Sequence, residues 1–217
     1  MSLTLSREKV AGVISDYAGV LTNPIEEFFA HFETASGIRP EQIGTALRRV
    51  AEGEGTNPFA ELECGRLSEA AFLDRLTDAM PWDRDQSRDL GGFRETWFDG
   101  CRRNDRFIAY LRHLHERGYP LALLTNNVVE WEGTWRATVP VDELFGLVVN
   151  SAHEGTRKPE AEIFRRTLHR FGLPAEACAF VDDSEENCTA ARELGLRAVR
   201  FQSTDQAIAE LEEVLDR

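Results

Sequence analysis

Residues 10–23 have the sequence VAGVISDYAGVLTN, and the architecture of the chain can be worked out from this stretch. Residues 10–15 form a short apolar run that leads into an acidic residue, Asp16, and Gly19 follows three positions later. An apolar run of this length that ends in polar and turn-forming residues is typical of a buried strand. The stretch therefore predicts a first strand whose carboxyl end opens into a loop.

Later apolar runs repeat this design. Each of three leads directly into polar residues: 120–124 into TNN, 146–149 into NS and 177–181 into DDS. Residues 198–201 are a fifth candidate strand.

Helical patterns lie between these runs. Phe107, Leu111 and Leu114 recur at helical spacing, and a similar pattern over residues 163–171 precedes Gly172. Alternating strands and helices predict an α/β fold with a Rossmann-like parallel sheet that is covered on both faces. Because ligands bind beyond the carboxyl ends of such strands, the polar run endings predict one shared site.

One segment breaks the alternation, because residues 24–103 show helical patterns throughout. The first pattern places apolar residues at offsets 0, 3, 4 and 7: Ile25, Phe28, Phe29 and Phe32. We predict an inserted helical domain at 24–103 and an α/β core domain formed by residues 1–23 and 104–217.

The charge balance limits the partners. The formal net charge is −13, and Lys9 and Lys158 are the only lysines. The field of such a chain repels polyanions, so we expect no nucleic acid and no membrane as partner. An anionic substrate needs local positive charge, which draws attention to Lys158.

The four cysteines form no CxxC pair, and no histidine cluster lies at metal-ligand spacing, which favours reduced thiols. The first ten residues lack the apolar run of a secretory signal. We expect a soluble cytoplasmic protein. Whether it forms a homodimer is an open question at this point.

Four polar elements follow one another along the chain: DYAGVLT at 16–22, TN at 125–126, KP at 158–159 and DDS at 182–184. Together they resemble the motifs of the haloacid dehalogenase superfamily. Residues 153–201 look most like the subfamily whose helical cap is inserted just after the first strand, and residues 24–103 occupy that position. The start DYAGVLT is most similar to phosphatases that form the N-terminal domains of some epoxide hydrolases and of a fused acyl-CoA dehydrogenase. The resemblance implies a phosphohydrolase of small phosphorylated metabolites.

The resemblance also implies a nucleophile and a magnesium site. Asp16 attacks phosphorus and forms an aspartyl-phosphate, which water then hydrolyses. Mg²⁺ is bound by Asp16, by the backbone carbonyl of Ala18 and by Asp183, with Asp182 acting through water. A bound cation also removes the repulsion that clustered carboxylates would otherwise suffer.

Phosphoryl transfer spreads negative charge over three oxygens, so the site must supply positive charge and hydrogen-bond donors. By resemblance, Lys158 neutralises the phosphate and orients Asp16. The Thr125 hydroxyl and the Asn126 backbone bind the phosphoryl oxygens. Asn187 either steadies Lys158 or the metal loop, or is simply a polar residue in the first turn of a helix.

Ala18 departs from the pattern of the resembled phosphatases. They carry a second aspartate two residues after the nucleophile, which protonates the leaving group and then activates water. Without this acid, we expect aryl and acyl phosphates to be hydrolysed well ahead of alkyl phosphates. If another residue acts as the acid, a carboxylate of the insert such as Glu61 or Glu63 is the candidate.

Other functions account for Ala18 differently. Phosphonoacetaldehyde hydrolases need a lysine in the cap, and residues 24–103 contain none. Haloacid dehalogenases lack the acidic pair that Asp182 and Asp183 form here, so dehalogenation is disfavoured. A binding or regulatory protein that keeps the fold and the metal stays open.

Substrate choice should lie in the insert. Its candidate contacts for an anionic substrate are arginines that are more simply interpreted as solvated surface charges: Arg48, Arg49, Arg66 and Arg94. We expect its aromatic residues to belong to the core: Trp82, Trp97 and Phe98.

Overall fold

The apolar runs form one five-stranded parallel sheet in the computed structural model, which describes residues 9–216. The strands are β1 (Gly12–Ser15), β2 (Leu121–Thr125), β3 (Leu147–Asn150), β4 (Cys178–Asp182) and β5 (Arg197–Arg200). Their order across the sheet is β3-β2-β1-β4-β5. This confirms the predicted α/β fold. Thr125, Asn150 and Asp182 are the last residues of their strands rather than the first residues of the following loops.

The helices surround this sheet and fill the segment between β1 and β2. They are α1 (Ile25–Ser36), α2 (Pro40–Glu54), α3 (Pro58–Glu63), α4 (Glu69–Ala79), α5 (Phe93–Asp99), α6 (Asp105–Glu116), α7 (Glu132–Thr138), α8 (Val141–Leu144), α9 (Ser151–Glu154), α10 (Ala161–Phe171), α11 (Glu185–Glu193) and α12 (Thr204–Leu215).

The register brings the carboxyl ends of the central strands level with one another. Ser15 of β1 pairs with Leu123 of β2 and with Val181 of β4. The backbone N–H of Asp16 donates to the Val181 carbonyl at 2.8 Å, which continues the pairing by one residue. The strand order reverses between β1 and β4, and the ligand sites of α/β sheets lie at such a switch point. Asp16 therefore stands at the expected location of a functional site.

Successive strand residues pack on opposite faces of the sheet. One face buries Val13 and Leu123 against a cluster that includes Phe107 of α6 and Leu211 of α12. The other face buries a second set with residues of α10 and α11: Ile14, Ala122, Leu124, Phe180, Ile163, Phe164 and Ala191. Each large apolar side chain buried in this way contributes about 1.5–3 kcal/mol, so the two clusters hold helices on both faces.

Residues 25–99 contain α1 to α5 and, among the described residues, no strand. Their interior is aromatic: the rings of Phe32 and Phe93 lie 4.7 Å apart, and Phe93 stacks on Trp97 at 5.9 Å. Thr22 and Arg103 form an antiparallel bridge where the chain leaves and rejoins the sheet. The division into a core domain and an inserted domain stays a prediction.

The predictions about a secretory signal and about the start of the core domain concern residues 1–8, which lie outside the described residues. No helix within residues 9–216 combines the length and the apolar character needed to cross a bilayer. The four cysteines are not joined in disulfides.

Candidate active site

Lys158 lies between two carboxylates at the carboxyl ends of β1 and β4. Its Nζ is 2.7 Å from Oδ1 of Asp16 and 2.7 Å from Oδ2 of Asp182. Only 1% of the lysine is exposed, and Asp182 is fully buried. A buried charge is stable only when it is paired, so the two aspartates explain how the chain tolerates a lysine here.

The backbone of Lys158 is held by the side chain of Asn126, which directly follows β2. The Lys158 N–H donates to Oδ1 of Asn126 at 2.9 Å, and Nδ2 of Asn126 donates to the Lys158 carbonyl at 2.9 Å. The sequence predicted a role only for the Asn126 backbone. The sequence motifs that contain Asn126 and Lys158 do not predict this contact, because the two residues are 32 positions apart in the chain.

Asp182 has hydrogen-bond partners on both of its oxygens. Besides Lys158 on Oδ2, its Oδ1 accepts from the Ser184 backbone N–H and from Nδ2 of Asn187, each at 2.9 Å. Asn187 therefore steadies Lys158 indirectly, through Asp182. Asn187 also lies in the first turn of α11, so its position agrees with both predicted interpretations.

The loop after β1 approaches Asp183 closely because residue 19 is glycine. Its φ is +76°, and a Cβ at this position would lie 2.2 Å from Oδ2 of Asp183. A side chain would thus meet both an unfavourable backbone conformation and a direct clash. Gly19 allows the loop that carries Asp16 and Ala18 to pack against the acidic pair.

The electrostatics of the group depend mainly on burial. Burial raises the pKa of Asp16 to about 8; Lys158 opposes this shift, while Asp182 and Asp183 add to it. Burial also raises the pKa of Asp183, and the neighbouring Asp182 raises it further. For Lys158, burial opposes the charge, but Asp16 and Asp182 outweigh it and raise the pKa of the ammonium.

The three aspartates fit a divalent cation. Each offers a carboxylate oxygen, and these oxygens lie within 4.8 Å of one another. Lys158 forms ion pairs with Asp16 and Asp182, and within residues 9–216 no other cation pairs with the three carboxylates. Three acidic groups therefore face one ammonium, and oxygen ligands of this kind suit Mg²⁺.

A cavity of about 470 Å³ opens beside this group. On the side of the sheet, the residues that line it include Asp16, Ala18, Asn126, Lys158, Asp183 and Asn187. Thr125, which is also buried, is not among the lining residues.

Another part of the cavity lining, the aromatic wall, comes mostly from residues 24–103. Its rings are Phe28, Phe29, Phe59, Trp97, Phe98 and Trp131. The expectation that Trp97 and Phe98 belong to the core is confirmed, since Trp97 is part of the buried cluster and Phe98 packs against it, but both also line the cavity. Trp82 does not line it. Helical spacing indicates which residues share a face but not what covers that face.

None of the four predicted arginines of the insert lines the cavity. They bind other residues instead: Arg48 the Thr45 hydroxyl, Arg49 the Ala79 carbonyl, Arg66 the Glu61 carboxylate and Arg94 the Glu69 and Glu95 carboxylates. Their interpretation as surface charges agrees with this arrangement. Among the described residues, the arginine that lines the cavity is Arg157, which the sequence did not indicate.

Arg157 pairs with Glu63 of α3, which also lines the cavity. Nε of Arg157 lies 2.8 Å from Oε2 of Glu63, but the two atoms are not aligned as a hydrogen bond. Burial raises the pKa of Glu63 to about 7, although Arg157 and Lys158 lower it. Glu61, the other predicted candidate for an acid, is paired with Arg66 and does not line the cavity.

The cavity lies at the switch point of a doubly wound sheet, where α/β proteins bind their ligands. A sequence profile of the haloacid dehalogenase-like hydrolases matches residues 10–195. The chain belongs to this hydrolase family, as the resemblance predicted.

Among characterised relatives, a sesquiterpene phosphatase of Aspergillus oryzae is 30% identical over 131 residues, which are 57% of this chain and 62% of the relative. The acyl-CoA dehydrogenase family member 10 of Mus musculus is 32% identical over 106 residues, 48% of this chain and 10% of the relative. The chain spans less than two thirds of the length of these curated relatives.

A family enzyme of Bacteroides thetaiotaomicron, solved with magnesium and inorganic phosphate, has the same fold. Its TM-score is 0.65 at 23% identity, over 88% of this chain and 93% of its own.

Proposed function

We propose that the protein is a Mg²⁺-dependent phosphatase of small phosphorylated metabolites in which Asp16 is the nucleophile. The observation that carries the proposal is the position of Lys158, with its ammonium 2.7 Å from both Asp16 and Asp182. Asp183 and the cavity lie directly beside this group. The likeness to phosphatases such as that of Aspergillus oryzae supports the same reaction class.

In the proposed reaction, a carboxylate oxygen of Asp16 attacks phosphorus, and the bond between phosphorus and the ester oxygen breaks. The alcohol leaves as its anion and takes a proton from solvent, since Ala18 provides none. Water then attacks the aspartyl-phosphate, releases phosphate and restores Asp16. Lys158 offsets the charge on the transferred group, and the Asn126 backbone N–H donates to its oxygens. A hydrogen bond from the Thr125 hydroxyl rests on the resemblance alone, because Thr125 does not line the cavity.

Asp16, the Ala18 carbonyl and Asp183 would hold Mg²⁺ directly. Asp182 would act through water, because Lys158, Ser184 and Asn187 already occupy its oxygens. When bound, the cation supplies positive charge where the anionic substrate meets the acidic group.

Residues 24–103 would form a cap over the site. Their aromatic side chains make up most of the aromatic wall, and such a wall excludes water from the reaction. This arrangement supports a role of the cap in the choice of substrate.

A turnover assay with a generic aryl phosphate, with and without Mg²⁺, tests the proposal. The alternative is a binding or regulatory protein of the same fold, which the alanine at position 18 favours. Such a protein binds Mg²⁺ and phosphate without releasing phosphate from the ester.

We expect activity to require Mg²⁺. Exhaustive chelation should eliminate phosphate release, and added Mg²⁺ should restore it, because three carboxylates otherwise face one ammonium. Ca²⁺ should inhibit, since its looser coordination shell would let Asp16 bind through both oxygens and lose the in-line position for attack. Full activity after chelation, measured by phosphate release, would contradict the metal site.

We expect the rate of the wild type to depend steeply on the pKa of the leaving group. General acid catalysis is worth about 10²–10⁴-fold, and a departing alkoxide needs the proton far more than a phenolate does. Ala18→Asp should therefore raise the turnover of alkyl phosphates selectively, provided that the carbonyl of residue 18 keeps its place. The measurement is kcat/KM of both proteins across monoesters of graded leaving-group pKa.

A flat dependence with efficient alkyl ester hydrolysis would contradict this prediction. Glu63 would then be the acid to examine, because it lines the cavity and burial raises its pKa to about 7. Glu63→Gln would test this role, with Glu61→Gln as the matched control.

A further inference from the structure

We infer that the substrate carries its phosphate on an uncharged aromatic alcohol, so that the leaving group is a phenol seated against the aromatic wall. The inference rests on the proposed phosphatase function and specifies its substrate class. Two independent observations support it: the chemistry of the cavity wall and the absence of an acid at Ala18.

The wall offers ring faces and edges rather than polar groups. Phe29 meets Trp97 edge to face at 4.9 Å, and Phe98 meets Trp131 edge to face at 5.8 Å. Phe28 and Phe59 extend the same surface. Aromatic rings pack favourably in such offset and perpendicular arrangements, so a planar ring of the substrate would be well accommodated.

The wall provides little for a charged or highly hydroxylated substrate. Among the described residues, the arginine that lines the cavity is Arg157, and Glu63 already lies 2.8 Å from it. A second anionic group on the substrate would therefore have to compete with Glu63 for this arginine. Lys158 is likewise committed to Asp16, Asp182 and the transferred phosphate.

The space suits a ring larger than benzene. About 470 Å³ lies within the range of cavities that enclose small organic ligands, and the phosphate occupies only the end next to Asp16. A bicyclic aromatic group would fill more of the remaining space than a phenyl group.

The absence of a general acid at position 18 favours the same class of leaving group. A phenolate departs without protonation far more readily than an alkoxide does, so a site with alanine at position 18 favours a phenolic ester. The aromatic wall and the missing acid therefore both favour the same leaving group, a phenol.

The test compares kcat/KM for 2-naphthyl, phenyl, farnesyl and glycerol phosphates, together with acetyl phosphate, all with Mg²⁺. Phenol and 2-naphthol have similar acidity, so their esters differ mainly in apolar area. We expect 2-naphthyl phosphate to exceed phenyl phosphate by about tenfold, because a second ring buries additional apolar surface. Both aryl esters should exceed the farnesyl and glycerol esters.

Variants connect this preference to the wall. Phe29→Ala and Phe98→Ala should each bring the ratio of 2-naphthyl to phenyl kcat/KM from about ten towards one. Tyr119→Ala is the matched control, because Tyr119 is a half-buried aromatic residue that does not line the cavity, and it should keep the wild-type ratio. Thermal unfolding of each variant checks that it is folded.

The outcomes separate the two levels of the proposal. Phosphate release from none of the five compounds, acetyl phosphate included, would overturn the phosphatase function. Release with a preference for glycerol or farnesyl phosphate would overturn the aromatic substrate class and leave the phosphatase function standing. An unchanged ratio in both phenylalanine variants would also overturn the inference.

Discussion

Asp16→Asn is expected to reduce phosphate release by more than about 10³-fold while the protein stays folded. The amide is nearly isosteric with the carboxylate, but it is neither an anionic metal ligand nor a competent nucleophile. The substitution also replaces the carboxylate oxygen that lies 2.7 Å from the Lys158 ammonium with an uncharged amide. The measurement is kcat with an aryl phosphate at saturating Mg²⁺.

The matched control is Asp78→Asn, which makes the same chemical change at an exposed position of α4. It should keep the wild-type kcat. Acid quenching during turnover of a labelled substrate adds a direct readout, since the label should remain on wild-type protein and be absent from Asp16→Asn. A variant that retains a tenth of the wild-type kcat would exclude Asp16 as the nucleophile.

Lys158→Met is expected to lower kcat by at least about 10²–10³-fold, the typical cost of losing one fixed group that stabilises transition-state charge. The methionine fills the space of the lysine but leaves the transferred phosphate without its protein cation. It also leaves two buried aspartates unpaired, and breaking a buried pair typically costs about 3–5 kcal/mol of folding stability. The measurements are kcat and the free energy of unfolding, both with Mg²⁺ present.

Lys9→Met is the natural control, because Lys9 is the only other lysine and is exposed. A second variant, Lys158→Ala, separates catalysis from stability: small alkylammonium ions should restore part of its activity if the missing charge is catalytic. Wild-type kcat in folded Lys158→Met would contradict the role of Lys158.

The strands and the site motifs could be predicted because they depend on local patterns. An apolar run that ends in polar residues identifies a strand end wherever it occurs, and parallel strands bring such ends together. This logic predicted one site shared by Asp16 and Asp182, and the pairing of β1 with β4 brings them side by side. The insert was recognisable for the same reason, since its helical periodicity interrupts the strand pattern after Asn23.

The contacts around Lys158 and the cavity wall could not be predicted in the same way. Asn126 holds the Lys158 backbone from 32 residues away, and Arg157 meets Glu63 across the boundary between core and insert. Spacing along the chain carries no information about such pairs. It likewise placed Trp97 on a buried helical face without showing that this face borders a cavity.

Local sequence patterns predicted the α/β sheet, the helical segment after the first strand and the polar residues at the strand ends, and the family resemblance added Lys158. Hydrophobic periodicity and polar strand endings are patterns of a few neighbouring residues, so each strand or helix can be predicted from its own segment. Only the tertiary structure shows that Asn126 and Asn187 support Lys158, that Glu63 lies beside Arg157 and that aromatic rings line the same cavity as Asp16. Those features depend on how the insert packs over the sheet, and that packing is set by side chains far apart in the chain.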